Sequence, residues 1–330
     1  MKNVHEPLLF KCLMGDMPGH EYILTCRDFA EITGLLKKYG IESRVVGGRP
    51  EGSMARRTLG FGMRVLSLAV KVPSYDVSLN HGSIWAVYAS MLRHRKNITI
   101  TDNDVDHKLN KRMFKHVDYL IIPKSLPAEM VAADNMDRSG IIQFDGYKED
   151  IYVSHYVPDS EFSKAVPFKD FVTVRPESIQ ATYVPEGTKS IVPELLKELN
   201  SRGAKVLFLP RYKSDREYAS GMANVHIPDA PLNGLDVCYH SRAVLTGAGT
   251  FAREAALLGT PAVSFYPGTP LLAVDQSLVG KGWMMHSRSP SEIADFAVNA
   301  KRRPFDSERS KRANADFIRA LGRALDECAA

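Results

Sequence analysis

The feature that most constrains this chain is a change in the spacing of its apolar residues that recurs along its whole length. Short runs of strand character alternate with segments of helical period, in two successive blocks. In the first block His20–Thr25 reads as a strand, Phe29–Tyr39 as a helix closed by Gly40, and Ser43–Val46 as a strand. Asp76–Leu79 is a buried-strand candidate, followed by His81-Gly82-Ser83 and a helix over Ile84–Leu92. Ile98–Thr101 and Tyr119–Ile122 supply two more strands, with the polar segment Asp102–Phe114 between them. The pattern then restarts. Phe171–Val174, Lys205–Leu209, Asn224–Ile227, Ala243–Leu245 and Pro261–Phe265 read as strands. Helices are expected over Ile191–Leu199, Phe251–Leu258, Ser291–Ala300 and Ser310–Glu327. Such alternation implies parallel sheets with crossover helices.

The expected fold class is therefore α/β, with two Rossmann-like, doubly wound domains over residues 1–160 and 161–330. A length of 330 residues supports two domains. The opening MKNVHE is polar and too short for the buried strand that starts a Rossmann half, so that first strand is expected to be missing. Hydrophobic residues make up 44% and charged residues 25%, which excludes a disordered chain.

The formal net charge of +5 suits an anionic ligand or an acidic surface. No basic stripe interleaves with aromatics, so no nucleic-acid partner is expected. Cys12, Cys26, Cys238 and Cys328 form no C-x-x-C pair and fit neither a zinc site nor a disulfide framework. Free thiols, and the want of a secretory apolar region or of a run of about 18–20 apolar residues, point to a soluble cytoplasmic protein.

The motif of most weight is Thr246–Gly259, TGAGTFAREAALLG, followed by Thr260-Pro261-Ala262-Val263-Ser264. Gly247, Ala248 and Gly249 let backbone amides come close to a ligand, and the next helix aims its N-terminus at the same place. The turn suits an anion such as a diphosphate, and it follows a strand at the sheet edge where open α/β folds bind ligands. The pattern is not GxGxxG, so the dinucleotide fingerprint is not met. A glycine-bearing turn with a solvated Glu254 is the structural alternative.

This stretch resembles the C-terminal domain of GT-B glycosyltransferases and of the related UDP-N-acetylglucosamine 2-epimerases. Over nearly its whole length the chain is similar to a family of unknown function, mostly archaeal and bacterial, often described as predicted glycosyltransferases. The residues carrying this similarity are Gly19-His20-Glu21, Thr25-Cys26-Arg27-Asp28, His81-Gly82-Ser83, Gly146-Tyr147-Lys148-Glu149, Val174-Arg175-Pro176-Glu177, Leu209-Pro210-Arg211 and Thr246–Pro261. The resemblance implies a GT-B architecture whose C-terminal half holds the nucleotide, and no bound catalytic metal or cofactor. It also implies that Gly247, Gly249 and Thr250 meet the diphosphate and Glu254 the ribose, with Thr246 among the nucleotide-binding residues. Arg253 stands beside them, and Arg175 and Arg211 each follow a strand; their guanidinium groups suit phosphate oxygens or, equally, surface ion pairs.

For chemistry, His81, Asp104 and His107 are the candidate acid/base residues. Asp104 and His107 have the i, i+3 spacing of one helical face, although helix capping by an Asp of the D-N-D-x-D-H run explains the cluster as well. The expected activity is transfer of a sugar from a UDP-linked nucleotide-sugar to a glycan or lipid-linked acceptor. The alternatives are epimerisation of a UDP-sugar and nucleotide-sugar binding without chemistry. Arg211 stands where the epimerases carry a histidine, and Thr101–Asp106 replaces their acidic motif, which favours transfer. Ser53–Val72, with Arg56, Arg57, Arg64 and Lys71, reads as a basic amphipathic helix able to touch lipid or as a core helix with a basic edge. Lys301–Arg303 and Lys311-Arg312 read as a solvated helix face.

Overall fold

The computed structural model describes residues 1, 5–28, 30–48, 54–179 and 187–329. The chain divides into two compact units, Met1–Tyr152 with Lys311–Ala330, and Val153–Ser310. This differs from the expected division at 160/161, because the end of the long helix Ser307–Ala329 groups with the first unit. There Phe317 sits edge-on to Phe144 with ring centroids 5.3 Å apart, and Asn314 donates to Asp16. A fully buried aromatic pair of this kind outweighs proximity in sequence.

In the first unit all the strands pair in parallel. Strands β1 (Thr25–Cys26) and β2 (Arg44–Val45) form a two-stranded sheet, and β3 (Val77–His81), β4 (Lys96–Ile100), β5 (Tyr119–Pro123) and β6 (Ile141–Phe144) a four-stranded one in sequential order. The strand expected over His20–Thr25 is reduced to the β1 pair. The first element among the described residues is a helix, Glu6–Asp16, which buries Leu9, Phe10 and Leu13. Met1 lies beside β1, accepting a hydrogen bond from Arg27 N at 3.1 Å. Helix Ile84–Leu92 matches expectation residue for residue. The expected helix Phe29–Tyr39 is Ala30–Lys38, Phe29 lying outside the described residues.

The second unit holds a six-stranded parallel sheet of β7 (Val172–Arg175), β8 (Val206–Phe208), β9 (Val225–His226), β10 (Ala243–Thr246), β11 (Ala262–Ser264) and β12 (Met284–His286). Their spatial order is β12-β11-β10-β7-β8-β9. The chain first builds outward from β7 to β9, then crosses back to lay β10 on the other side of β7 and builds outward again. The topological switch point therefore lies between β7 and β10, and the carboxyl ends of those two strands define its crevice. Val174, Leu195, Phe208, Leu245, Val263 and Phe265 are wholly buried at the centre of this unit. Each contributes about 1.5–3 kcal/mol by leaving water, which fixes the sheet edge on which the site stands.

The helix expected at Lys301–Arg303 is a correction, although Lys301 and Arg302 are exposed as expected. These residues are not helical: the Arg302 guanidinium lies over the Tyr239 ring at 4.2 Å and that of Arg303 over Trp283 at 4.4 Å. Planar guanidinium groups stack on aromatic faces while donating hydrogen bonds sideways, and Arg303 does so to Ala256 O. Lys311 and Arg312, on the helix proper, are exposed. No helix among the described residues is long and apolar enough to cross a membrane.

Candidate functional site

The switch point gathers three of the sequence motifs on one sheet edge. Thr246 ends β10 in register with Arg175 at the end of β7, and β8, on the other flank of β7, runs into Arg211. Gly247 N donates to Arg175 O at 3.1 Å, which carries the turn directly onto the end of β7. The Thr246 hydroxyl accepts from Ala248 N at 2.9 Å and so shapes the turn. Helix Gly249–Leu257 starts immediately afterwards, with Ala248 at its N-cap and no side-chain cap, which leaves the first-turn amides to other acceptors.

The glycines have separate reasons. A Cβ at Gly247 would stand 2.6 Å from Glu177 Cα, a backbone atom that cannot swing aside. Glu177 thus by itself requires glycine at position 247. At Gly249 the nearest atom would be Arg253 Nη1 at 3.0 Å, the far end of a flexible side chain. Glu177 is buried and accepts from Ser190 Oγ at 2.7 Å, Ile191 N at 3.3 Å and Arg288 Nη1 at 3.2 Å. Arg288 also donates to Phe265 O and Lys189 O. This Glu177–Arg288 brace ties the loops after β7 and β12 together beneath the turn. Glu177 stood within the Val174–Glu177 motif, but Arg288 lies 111 residues away and nothing local in the sequence marks it.

Arg253 is placed otherwise than its phosphate-facing expectation. Its Nη1 donates to Asp275 at 2.8 Å, both side chains being buried, and its Nη2 reaches the Thr250 hydroxyl at 3.4 Å. A buried guanidinium needs a matched carboxylate, so Arg253 fastens the helix to Ala273–Gly280. Glu254, half-buried, and Arg175 both act on the buried Cys238 thiol: burial pushes that thiol well up, Glu254 adds to the effect and Arg175 opposes it. The Arg175 guanidinium also stands 5.8 Å from the Phe251 ring. Arg211 fixes its loop by donating its backbone N–H to Asp215, while its buried Nε has no hydrogen-bond partner among the described residues. A buried charged donor without an acceptor is costly, and an anion at this edge would satisfy it.

In the first unit His81, at the carboxyl end of β3, lies in a buried polar cluster. Its Nδ1 is 3.3 Å from Glu6 Oε1 and its Nε2 3.6 Å from Asp102 Oδ1. Lys148 Nζ bridges Asp102 Oδ2 at 2.8 Å and Glu149 Oε1 at 3.3 Å. Burial disfavours the ionised Glu6 carboxyl, yet the hydrogen bond and charge of His81 hold it far below the usual carboxylate range. His5, with its ring 5.2 Å from that of His81, is pushed well down by burial first and then by Lys148 and His81. Potential ligand atoms of His5, Glu6 and His81 lie within 4.8 Å of one another. Two imidazoles and a carboxylate are a donor set that divalent transition metals accept, with the Lys148 ammonium close by as a competing charge.

The helical pairing expected of Asp104 and His107 is a further correction. The helix begins only at His107, with Asp106 as N-cap accepting from Leu109 N at 3.2 Å. Asp104 is buried before the helix, and His107 Nδ1 is held by Asp134 at 2.9 Å. Capping by an Asp is what organises this run.

The chain is an α/β protein with the GT-B fold of the solved structures it is similar to. A family described as "Protein of unknown function (DUF354)" matches residues 11–322, and the chain belongs to that family. An uncharacterized protein of Methanocaldococcus jannaschii, MJ0665, is 25% identical over 289 residues, covering 84% of this chain and 83% of its own. Among solved structures, a UDP-GlcNAc 2-epimerase of Neisseria meningitidis bound to UDP-GlcNAc is similar with a TM-score of 0.73 at 13% identity, over 98% of both chains. The glycotransferase of kitacinnamycin is similar with a TM-score of 0.58 at 14% identity, over 97% of this chain and 95% of its own.

Proposed function

We propose that the chain binds a UDP-linked nucleotide-sugar on its second unit and transfers the sugar to a glycan or lipid-linked acceptor in the cytoplasm. The observation that carries this reading is that Arg175 and the Thr246–Gly249 turn meet at the switch point of the six-stranded sheet, with Arg211 on the same sheet edge after β8. Two guanidinium groups and the first-turn amides of helix Gly249–Leu257 supply positive potential for a diphosphate. Glu254 would accept hydrogen bonds from ribose hydroxyls. The similar Neisseria meningitidis enzyme is bound to UDP-GlcNAc, which supports this ligand class.

In transfer, the bond from the sugar's anomeric carbon to the diphosphate breaks and a bond to the acceptor oxygen forms. The acceptor's proton passes to a base, and the departing diphosphate needs the positive charge just described. His81, held between Glu6 and Asp102, is the candidate acid/base residue of the first unit. One observation favours the epimerase reading: Glu6, His81, Asp102 and Lys148 offer several acid/base groups in one cluster, as reversible elimination requires.

Incubation with UDP-GlcNAc, with and without an acceptor extract, separates these activities. Release of free UDP only with acceptor supports transfer. Conversion of the sugar without UDP release supports epimerisation. Neither, with saturable binding, leaves a binding protein.

A further inference from the structure

We propose that the outer face of helix Met54–Lys71 docks on an anionic lipid surface. This helix is apolar on two sides, and the molecule covers one of them. Its inner side carries Val65 and Leu68, buried with Val46 and Ala89 and flanked by Phe61, Trp85 and Tyr88. Its outer side carries Leu59, Met63, Leu66 and Val70, which are 65%, 59%, 58% and 80% exposed. These four are spaced four, three and four residues apart, so they share one stripe about 60° wide at about 100° per residue. Single exposed apolar side chains are ordinary, whereas a continuous stripe over three turns marks an interaction surface.

The charge around the stripe selects the partner. Between Glu51 and Asp76 the sequence has no acidic residue. Arg56 and Lys71 are exposed at the two ends of the helix. The turn after helix Ile84–Leu92 adds to this rim: Arg93 donates to Val72 O and Pro73 O, and Arg95 to the Ser74 hydroxyl. It brings exposed Met91 and Leu92 with exposed His94 and Arg95. Arg64 is not part of the rim, being buried with its guanidinium 5.3 Å from the Trp85 ring. An apolar stripe with a basic rim is the pattern of a helix lying in the plane of an acidic membrane. Pairing with a second copy by an antiparallel two-fold arrangement would instead set Arg56 against the other copy's Lys71.

The test is co-sedimentation of the full chain with vesicles of phosphatidylcholine alone and of phosphatidylcholine mixed with phosphatidylglycerol. Pelleting is expected with the mixed vesicles, weakened by salt, and little with phosphatidylcholine alone. Leu66→Glu, and separately Arg56→Glu with Lys71→Glu, should each reduce binding by about tenfold or more. Both alter exposed positions, so their melting temperatures should match wild type. No pelleting with mixed vesicles, or equal pelleting with both kinds, overturns the proposal. So does a wild-type dimer that Leu66→Glu converts to a monomer, which would assign the face to a second copy.

Discussion

Arg175 and Thr246 are register partners at the carboxyl ends of adjacent parallel strands, and the residue after Thr246 hydrogen-bonds back to the Arg175 carbonyl. That relationship makes one structural unit of two motifs separated by about seventy residues. The turn and the helix N-terminus of the proposed nucleotide site are held against the end of β7 by this strand pairing.

Gly247→Ala should destabilise the second unit through a clash with Glu177. The added methyl would meet Glu177 Cα at 2.6 Å, and overpacking of this kind costs about 1–3 kcal/mol. A thermal melt should show a loss of several degrees, roughly 2–4 °C per kcal/mol for a domain of this size. An unchanged melting temperature would mean that the Glu177 loop gives way freely.

Arg253 and Asp275 should behave as a buried pair. Removing either partner strands a charge and costs about 3–5 kcal/mol, whereas Arg253→Met with Asp275→Leu should recover most of the loss. Denaturant titration of the two single variants and the double variant measures the coupling. Additive losses would contradict the pairing.

Acid should destabilise the first unit in two stages. His5 is held neutral by burial below its ordinary value of 6.5, so the unfolded chain binds a proton first and stability falls as pH drops below about 6.5. Glu6 is held ionised well below its ordinary 4.5, so its contribution is complete above that pH and is lost below it. Denaturant melts from pH 8 to pH 4 should therefore show a slope that His5→Asn flattens between about pH 6.5 and 5. A slope unchanged by that substitution would contradict the buried, neutral state of His5.

The sequence was legible where local pattern and tertiary role coincide. Helix Ile84–Leu92 and the turn after β10 stand where their apolar period and glycines place them. Strand β6 and strand β12 were not foreseen; each is three or four residues long, too short for a period to show. Helix Glu6–Asp16 has no clear sequence signal because the apolar residues of EPLLFKCLMGD are spread round the helix with little sidedness. The partners of the site residues were the least legible part. His81 meets Glu6 across 75 residues and Lys148 meets Asp102 across 46, and Arg253 turns to Asp275 because burial, not spacing, decides where a guanidinium finds its carboxylate.

The most direct test of the central claim is a calorimetric titration of UDP into wild type, Arg175→Ala and Glu254→Ala. The account predicts saturable binding to wild type, weakened by roughly tenfold or more in each variant, since a charge-assisted hydrogen bond contributes about 1.5–3 kcal/mol. Absence of UDP binding to wild type, or binding unaffected by either substitution, would contradict a nucleotide site at the switch point.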